Sequence, residues 1–318
     1  MDIITHTLVG ASLGEAGLKR RSGLAMAALI IGANLPDVDV LYEVLAKAWT
    51  FHRGLTHSVL AMLVLPVILT GALVAFDRLR STGKPTRSGR APIRPKQLLL
   101  LSAIAVLSHL LLDLLNPWGV RLLMPFSDRW FYGDALWAFD PWVFIALVAG
   151  IVVARVRARS ARPEVSRSST RPAQIALVVS AAYVALMVLG GRVAERIAAR
   201  YIIATEHRTP RRVLATPVPA NSFRRELVLD FGDTYRFGRM DWLPRPRVIL
   251  DERDVPTNLR HPAVQAVRGR PAMQVFLYWS RYPFFRIEED ARPPAVIAGD
   301  AGRFGRSTVL RVPYAAEK

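Results

Sequence analysis

The stretch His52-Arg53-Gly54-Leu55-Thr56-His57-Ser58 places two imidazoles, a guanidinium and two hydroxyls at the start of an apolar run, residues 59–76. Neutral histidine is the commonest metal ligand in proteins. A polar cluster at the end of a segment long enough to cross a bilayer is costly unless something binds it. The spacing alone also fits two histidines at a membrane interface, so this stretch leaves both interpretations open.

Three other motifs carry residues that could bind the same metal: Asp2-x3-His6, the Asn-x-Pro-Asp-x-Asp stretch at 34–39, and His109-x3-Asp113. Four of the six histidines lie in the four motifs, each near an apolar segment. His109 and Asp113 are one helical turn apart and share one helix face. We therefore predict a metal site. The predicted ligands of a first ion are His57, His109 and Asp113 with Asp37 or Asp39, and those of a second ion are His6 and His52.

The ligand types narrow the choice of metal. The chain has no cysteine. Imidazoles and carboxylates without thiolates suit Zn, Mn or Fe(II). Histidine with aspartate is common in catalytic zinc sites, whereas structural zinc sites usually include cysteine. We expect a divalent metal, with zinc favoured over Mn or Fe, in one or two copies.

The composition is that of a membrane protein with charged loops. Of 318 residues, 52% are hydrophobic and 21% are charged, and the mean hydropathy is positive, so the two kinds must be segregated. The net charge of +18 would suit nucleic acid. In the N-terminal half, however, much of this charge lies in short loops between apolar segments. We therefore expect the lipid bilayer as a partner and no nucleic acid.

Apolar periodicity predicts a helical membrane domain, residues 1–191, of about five to six apolar helices, some short or broken. The second helix should end at Pro36, which cannot continue it without losing a hydrogen bond. A small soluble β-rich domain, 192–318, should follow, although 192–204 could extend the last helix. Its predicted strands are 227–231 and 234–237, joined as a hairpin, then 274–279, 284–287 and 308–312.

Arginine and lysine in the loops predict the topology. By the positive-inside rule, loops 19–21, 77–96 and 155–172 should be cytoplasmic. Alternation then places loops 36–54 and 116–136 outside, together with the C-terminal domain. Every motif with a predicted metal ligand falls on that outer side. Because the charge rule takes no account of the motifs, their convergence supports one shared site.

The ordered motifs resemble the bacterial family of membrane-bound metal-dependent hydrolases related to the inner-membrane protein YdjM. The resemblance covers roughly residues 1–145. It is carried by Asp2, Thr5-His6, the Asn-x-Pro-Asp-x-Asp stretch at 34–39, His52-Arg-Gly-x-Thr-His57-Ser, His109-x3-Asp113 and Asn116-Pro117-x-Gly119. The order of aspartates and histidines is also distantly similar to zinc-dependent phospholipase C and P1 nuclease, although further His and Glu ligands of a three-zinc site are not evident.

This resemblance implies a hydrolase in the bacterial inner membrane, whereas the residues by themselves imply only a metal site. The expected substrate is a phosphoester or other ester in a lipid or envelope component. Arg53 could bind a phosphate oxygen or be an interfacial arginine. Asp134 and Asp140 could serve as general base or hold a metal ligand in place, although Asp140-Pro141 also fits a helix cap. A membrane metal transporter and an envelope protein with a structural metal remain alternatives.

Overall fold

The computed structural model describes residues 1–40, 53–81, 91–160 and 169–314. The chain forms two compact units, Met1–Leu186 and Met187–Lys318. The first is helical and the second contains antiparallel sheets. This confirms the predicted fold class of a helical membrane domain followed by a β-rich domain.

In the described part of the first unit, two short helices precede the long ones. They are α1 (Ile3–Glu15) and α2 (Ala25–Gly32). The long helices are α3 (Val59–Ser81), α4 (Pro95–Leu114), α5 (Pro141–Ser160) and α6 (Arg171–Glu206). Among the described residues, four helices, α3 to α6, are long and apolar enough to cross a membrane, somewhat fewer than the five to six apolar helices predicted. With 13 and 8 residues, α1 and α2 are about 20 and 12 Å long, short of a roughly 30 Å hydrocarbon core.

Small residues bring α1, α2 and α4 unusually close together. A Cβ added at Gly10 of α1 would lie 2.5 Å from the carbonyl oxygen of Leu29 in α2. A Cβ added at Gly32 of α2 would lie 2.8 Å from the Cβ of Ala105 in α4. Because neither site has room for a side chain, the three backbones can approach, which brings His6 on α1 beside His109 on α4.

The second α-helix ends four residues before the predicted end at Pro36. The α-helix stops at Gly32, and a short 3₁₀ helix, Leu35–Val38, follows with Pro36 near its start. The side chain of Asn34 donates a hydrogen bond to the carbonyl oxygen of Ile30 at 2.8 Å, which satisfies an acceptor at the helix end. This change of backbone direction places Asp37 against the ends of α3 and α4.

Helix α6 extends well beyond the predicted membrane span, as the sequence suggested for residues 192–204. Its 36 residues would measure about 54 Å, longer than a hydrocarbon core of about 30 Å. The division between the two compact units falls within this helix, as does the predicted domain boundary at residue 191. The second unit therefore begins with helical residues rather than with a loop.

The second unit contains two antiparallel sheets in its described residues. The first has the order β1 (Arg212–Val218), β2 (Asn221–Asp230), β3 (Thr234–Asp241) and β4 (Arg247–Leu250), with β5 (Val255–Pro256) also paired to β3. The second has the order β6 (Pro283–Glu288), β7 (Ala295–Asp300) and β8 (Thr308–Pro313). Three short helices, α7 (Pro262–Val267), α8 (Pro271–Trp279) and α9 (Ala301–Phe304), complete it.

Most strand predictions for this unit are confirmed, and one is wrong. Strands β2 and β3 form the predicted hairpin, and β6 and β8 cover the predicted strands 284–287 and 308–312. Residues 274–279 were predicted as a strand but belong to helix α8. A short apolar run cannot distinguish the two structures. Pro271 begins this helix, and Met273 and Phe276, three residues apart, are buried on one face.

Candidate metal centre

Four predicted metal ligands converge on one point in the first unit. The residues are Asp37, His57, His109 and Asp113, and one ligand atom from each lies within 4.8 Å of all the others. Asp37 follows the break after α2, and His57 ends a 3₁₀ helix, Leu55–His57, just before α3. His109 and Asp113 lie in the last turns of α4. Three separate segments therefore build the cluster.

The spacing of these four atoms suits a tetrahedral ion. His57 Nε2 lies 3.1 Å from His109 Nε2, 3.5 Å from Asp37 Oδ1 and 3.2 Å from Asp113 Oδ2. His109 Nε2 lies 3.5 Å from Asp37 Oδ1 and 3.5 Å from Asp113 Oδ2. Ligands at roughly 2.0–2.1 Å from a tetrahedral zinc are about 3.3–3.4 Å apart. Five of the six edges are thus close to the expected length.

The ring of His109 is oriented by a backbone carbonyl. His109 Nδ1 lies 2.8 Å from the carbonyl oxygen of Ala33, just after α2. An imidazole nitrogen can bond to a carbonyl only as a donor, so Nδ1 carries the proton and Nε2 presents its lone pair to the cluster. The close packing of α2 on α4 therefore fixes the tautomer that a metal ligand needs.

Asp39 orients His57 from behind rather than joining the four ligand atoms. Its Oδ2 lies 3.3 Å from His57 Nδ1 and accepts hydrogen bonds from the hydroxyl of Thr56 at 3.0 Å and the backbone amide of Arg53 at 2.9 Å. A carboxylate on the second ring nitrogen of a metal-binding histidine is a common arrangement. Of the two aspartates left open by the sequence, Asp37 faces the other ligands and Asp39 supports His57.

His6 lies next to the cluster, on the other oxygen of Asp113. Its Nε2 is 3.3 Å from Asp113 Oδ1, and its ring stacks on that of His109 with centroids 3.9 Å apart. The α-amino nitrogen of Met1 lies 3.0 Å from His6 Nε2 and also contacts Asp113 Oδ1. The structure therefore groups His6 with one of the ligands, beside the four-atom cluster. His52, the other predicted ligand of a second ion, lies outside the described residues.

Arg53 is buried and pairs with Asp113 instead of projecting into an open space. Its Nη2 lies 3.4 Å from each carboxylate oxygen of Asp113. Its Nη1 donates hydrogen bonds to Asn116 Oδ1 at 3.1 Å and to the carbonyl oxygen of Gly119 at 3.4 Å. Asn116 Oδ1 in turn accepts from the backbone amide of Trp118 at 2.9 Å. The loop after α4 thus holds the guanidinium against the carboxylate.

The structure gives the two candidate general bases different surroundings. Asp140 caps α5, since its Oδ1 accepts hydrogen bonds from the backbone amides of Trp142 at 3.0 Å and Val143 at 3.1 Å. Its Oδ2 accepts from the hydroxyl of Tyr183 at 3.0 Å, so both oxygens are used in helix packing. Asp134 is buried at a left-handed φ of 51°. Neither belongs to the group of four ligands.

Buried acceptors are the dominant electrostatic feature of the cluster. The side chains of His57, His109 and Asp113 are fully buried, whereas that of Asp37 is 14% exposed. Burial alone would raise the pKa of Asp37, but the His57 and His109 imidazoles that face it outweigh burial and lower that pKa. Asp113 Oδ2 accepts no hydrogen bond from the described residues. Carboxylates and imidazole lone pairs aimed at one point suit a cation between them.

Sequence reasoning missed the groups that orient the ligands. The carbonyl of Ala33 carries no side-chain signal, and Thr56, whose hydroxyl oxygen lies 3.0 Å from His57 Nδ1, was considered only as part of its motif. A search for polar groups beside each predicted histidine could have found Thr56, because it directly precedes His57. Nothing in the sequence would have identified the carbonyl of Ala33.

The fold and the cluster define a multi-pass membrane protein with a candidate metal centre. Residues 1–194 match the family described as YdjM inner membrane protein. The chain belongs to this family, as its motifs indicated, and is an inner membrane protein.

One curated relative adds context without adding a function. The chain is 28% identical over 167 residues to a Bacillus subtilis (strain 168) protein described as uncharacterized protein YfhP. The match covers 48% of this chain and 46% of the relative, so the chain spans about half the length of the curated relative it matches. No solved structure matches. These comparisons do not show the distant similarity to zinc-dependent phospholipase C and P1 nuclease.

Proposed function

We propose that the protein is an integral membrane metal-dependent hydrolase that cleaves a phosphoester or other ester bond in a lipid or envelope component. The observation that carries this proposal is the convergence of Asp37, His57, His109 and Asp113 at distances suited to one divalent ion. Zinc fits the tetrahedral spacing and the mixed imidazole and carboxylate donors, and Mn or Fe(II) could use the same donor types.

Each side chain has a separate task in this proposal. The four ligands would hold the ion, while Asp39 and the carbonyl of Ala33 lie against the other ring nitrogens of His57 and His109 and orient the two rings. A divalent ion bound there would lower the pKa of a coordinated water and polarise the scissile group. Arg53 positions Asp113 by balancing its charge. A contact of Arg53 with a phosphate oxygen, and a general base at Asp134, stay predictions.

The surroundings of Asp37 favour an amphiphilic substrate. Asp37 is the most exposed of the four ligands, and apolar side chains near it in sequence are also exposed, with Val38 at 49% and Leu55 at 46%. The loop after α4 adds Phe126, which is 88% exposed; this loop is joined to the start of α3 by a hydrogen bond from the amide of Val59 to the carbonyl of Leu122 at 2.9 Å. An apolar surface beside a polar cluster suits a lipid headgroup with its chains still in the bilayer.

A structural metal site is the second candidate, and one observation favours it. Four protein ligands would fill a four-coordinate ion, as in structural zinc sites, whereas catalytic zinc sites keep a position for water. Hydrolysis therefore requires a fifth position or the release of one ligand. Asp37 is partly exposed, so it is the ligand that could most easily be released from the ion. A transporter is less well supported because the cluster lies at one end of α3 and α4, whereas transporter sites lie near the bilayer midplane.

The hydrolase proposal predicts chelator-sensitive turnover. Purified protein in lipid should hydrolyse at least one member of a panel of phospholipids, isoprenoid phosphates and generic esters. Chelation should abolish turnover and divalent metal should restore it. Asp113→Asn should lower turnover by at least about a hundredfold, within the range of losses seen when a transition-state-stabilising group is removed. If nothing in the panel is cleaved while metal stays bound and its removal unfolds the protein, the structural-metal candidate should replace this proposal.

The proposal also places the metal centre and the C-terminal unit outside the cytoplasm, and reporter fusions can test this orientation. Fusions after Ser88 or Ser168 should report a cytoplasmic location, because these positions lie in the arginine-rich loops. A fusion after Lys318 should report the outer side. A cytoplasmic signal from the Lys318 fusion would mean that the orientation or the number of spans is wrong.

A further inference from the structure

A groove of about 700 Å³ lies on the lipid-facing side of α3 and α4, away from the metal centre. Its walls are mostly apolar. They include Val67, Gly71, Val74 and Leu79 from α3, and Leu99 from α4. Val67 and Leu79 are 59% and 78% exposed, so this surface would face hydrocarbon in a bilayer.

Gly71 keeps the middle of the groove open. A Cβ added there would meet no described atom within 4 Å, in contrast to the tightly packed Gly32. The hydroxyl of Thr70 on the wall donates to Ser102 Oγ at 3.4 Å, so this polar group is satisfied within the helix pair. The described surface is therefore open at Gly71, and Thr70 places no unsatisfied hydroxyl against an apolar chain that lies there.

Two cations line one end of the groove. Arg78 lies near the end of α3 and Lys96 near the start of α4, so both are at the membrane end opposite the metal centre. Asp77 precedes Arg78, and Arg80 and Arg94 add further positive charge close by in sequence. From Val67 to Arg78 the helix rises about 16 Å, close to half of a roughly 30 Å hydrocarbon core.

We propose that this groove binds one anionic glycerophospholipid, with an acyl chain against Val67, Gly71 and Val74 and the phosphate between Arg78 and Lys96. The length of the groove matches the hydrocarbon of one leaflet, and the cations lie where its headgroup phosphate would be. Basic pockets between transmembrane helices are a recurrent way to bind anionic headgroups. The site is independent of the proposed hydrolysis, since it shares no residue with the metal centre.

Lipid titration of the full chain in neutral detergent, followed by native mass spectrometry, tests this proposal. The probes are phosphatidylglycerol, phosphatidylcholine with the same acyl chains, and inorganic phosphate. The wild type should retain one phosphatidylglycerol, bind phosphatidylcholine at least tenfold more weakly, and show no effect of inorganic phosphate. Arg78→Gln with Lys96→Gln should weaken phosphatidylglycerol binding roughly 30-fold, about fivefold for each charge removed.

Two further variants keep the result interpretable. Arg157→Gln with Arg159→Gln removes two exposed cations from the last turn of α5, at the same membrane end, and should leave binding unchanged. Gly71→Leu should fill the groove and weaken binding without lowering the melting temperature of the lipid-free protein.

Three outcomes would overturn the proposal. Phosphatidylcholine could bind as tightly as phosphatidylglycerol, which would make the headgroup site wrong. Both double variants could weaken binding equally, which would indicate general electrostatic attraction. Finally, the wild type could retain no lipid, which would show that the groove does not bind a phospholipid.

Discussion

Replacing His109 with alanine, or Asp113 with asparagine, is expected to remove about one equivalent of bound metal from the purified protein. Each of these residues contributes one of the four ligand atoms whose spacing suits a tetrahedral ion. Asp113→Asn is nearly isosteric but leaves the buried Arg53 guanidinium without its carboxylate, so a melting temperature measured beside the metal content is needed to separate ligand loss from unfolding. Elemental analysis of protein purified in parallel, with metal reported per chain, measures the effect.

His261→Ala is the matched control for these variants. His261 lies in the second unit and caps α7, since its Nδ1 accepts a hydrogen bond from the backbone amide of Ala263 at 3.3 Å. Its loss should slightly weaken a short helix and leave the metal content unchanged. Equal metal content in all the variants and the wild type would show that the four residues do not hold the ion.

Asp39→Asn is expected to weaken metal binding about 10- to 100-fold while leaving the number of ions at saturation unchanged. The reason is that Asp39 contacts the ring nitrogen of His57 that points away from the cluster. An amide can present either its oxygen or its nitrogen there and would hold the tautomer less firmly. Titration with a competing chelator gives the apparent affinity.

Asp37→Asn and Asp140→Asn are the comparison variants for Asp39→Asn. Asp37 faces the other ligands, so its loss should lower metal affinity by more than the loss of Asp39 does. Asp140 caps α5 and bonds to Tyr183, so its loss should lower the melting temperature with little change in affinity. If Asp39→Asn proved as damaging as Asp37→Asn, Asp39 would have to be counted among the ligands.

The segments of the candidate metal centre could be located from the sequence because two independent signals agreed. The motifs containing His57, His109 and Asp113 were recognisable from residue types and spacing. The charge rule then placed them at one membrane face without using them. The structure brings these three residues together with Asp37, as expected if their segments end at the same side of the membrane.

The sequence could not decide between Asp37 and Asp39. The two residues are separated by one position, and either could have turned inward after the break at Pro36. The outcome depends on the 3₁₀ helix at Leu35–Val38, whose tight turn directs Asp37 to the ligands and leaves Asp39 behind His57. Such local geometry follows from packing against α3 and α4 and has no simple signature in the sequence.

The role of Arg53 could likewise not be predicted from the sequence. Its residue type suggested a phosphate contact or an interfacial side chain, and the structure instead buries it against Asp113 and Asn116. Asn116 was recognised only as part of a family motif, although its side-chain oxygen organises the loop that holds the guanidinium. A charged residue inside a polar cluster could equally face substrate or a neighbouring carboxylate, and only the fold separates these two roles.

X-ray absorption spectroscopy of the metal-loaded wild type tests the central claim most directly, because it measures the shell of ligands around the ion. The predicted spectrum has four nitrogen and oxygen neighbours at about 2.0–2.1 Å, with outer scattering from two imidazoles. A fifth neighbour in the wild type would support an open, catalytic position. A bound ion with no imidazole scattering, or a chain that retains no ion at all, would contradict the assignment of His57 and His109 as ligands.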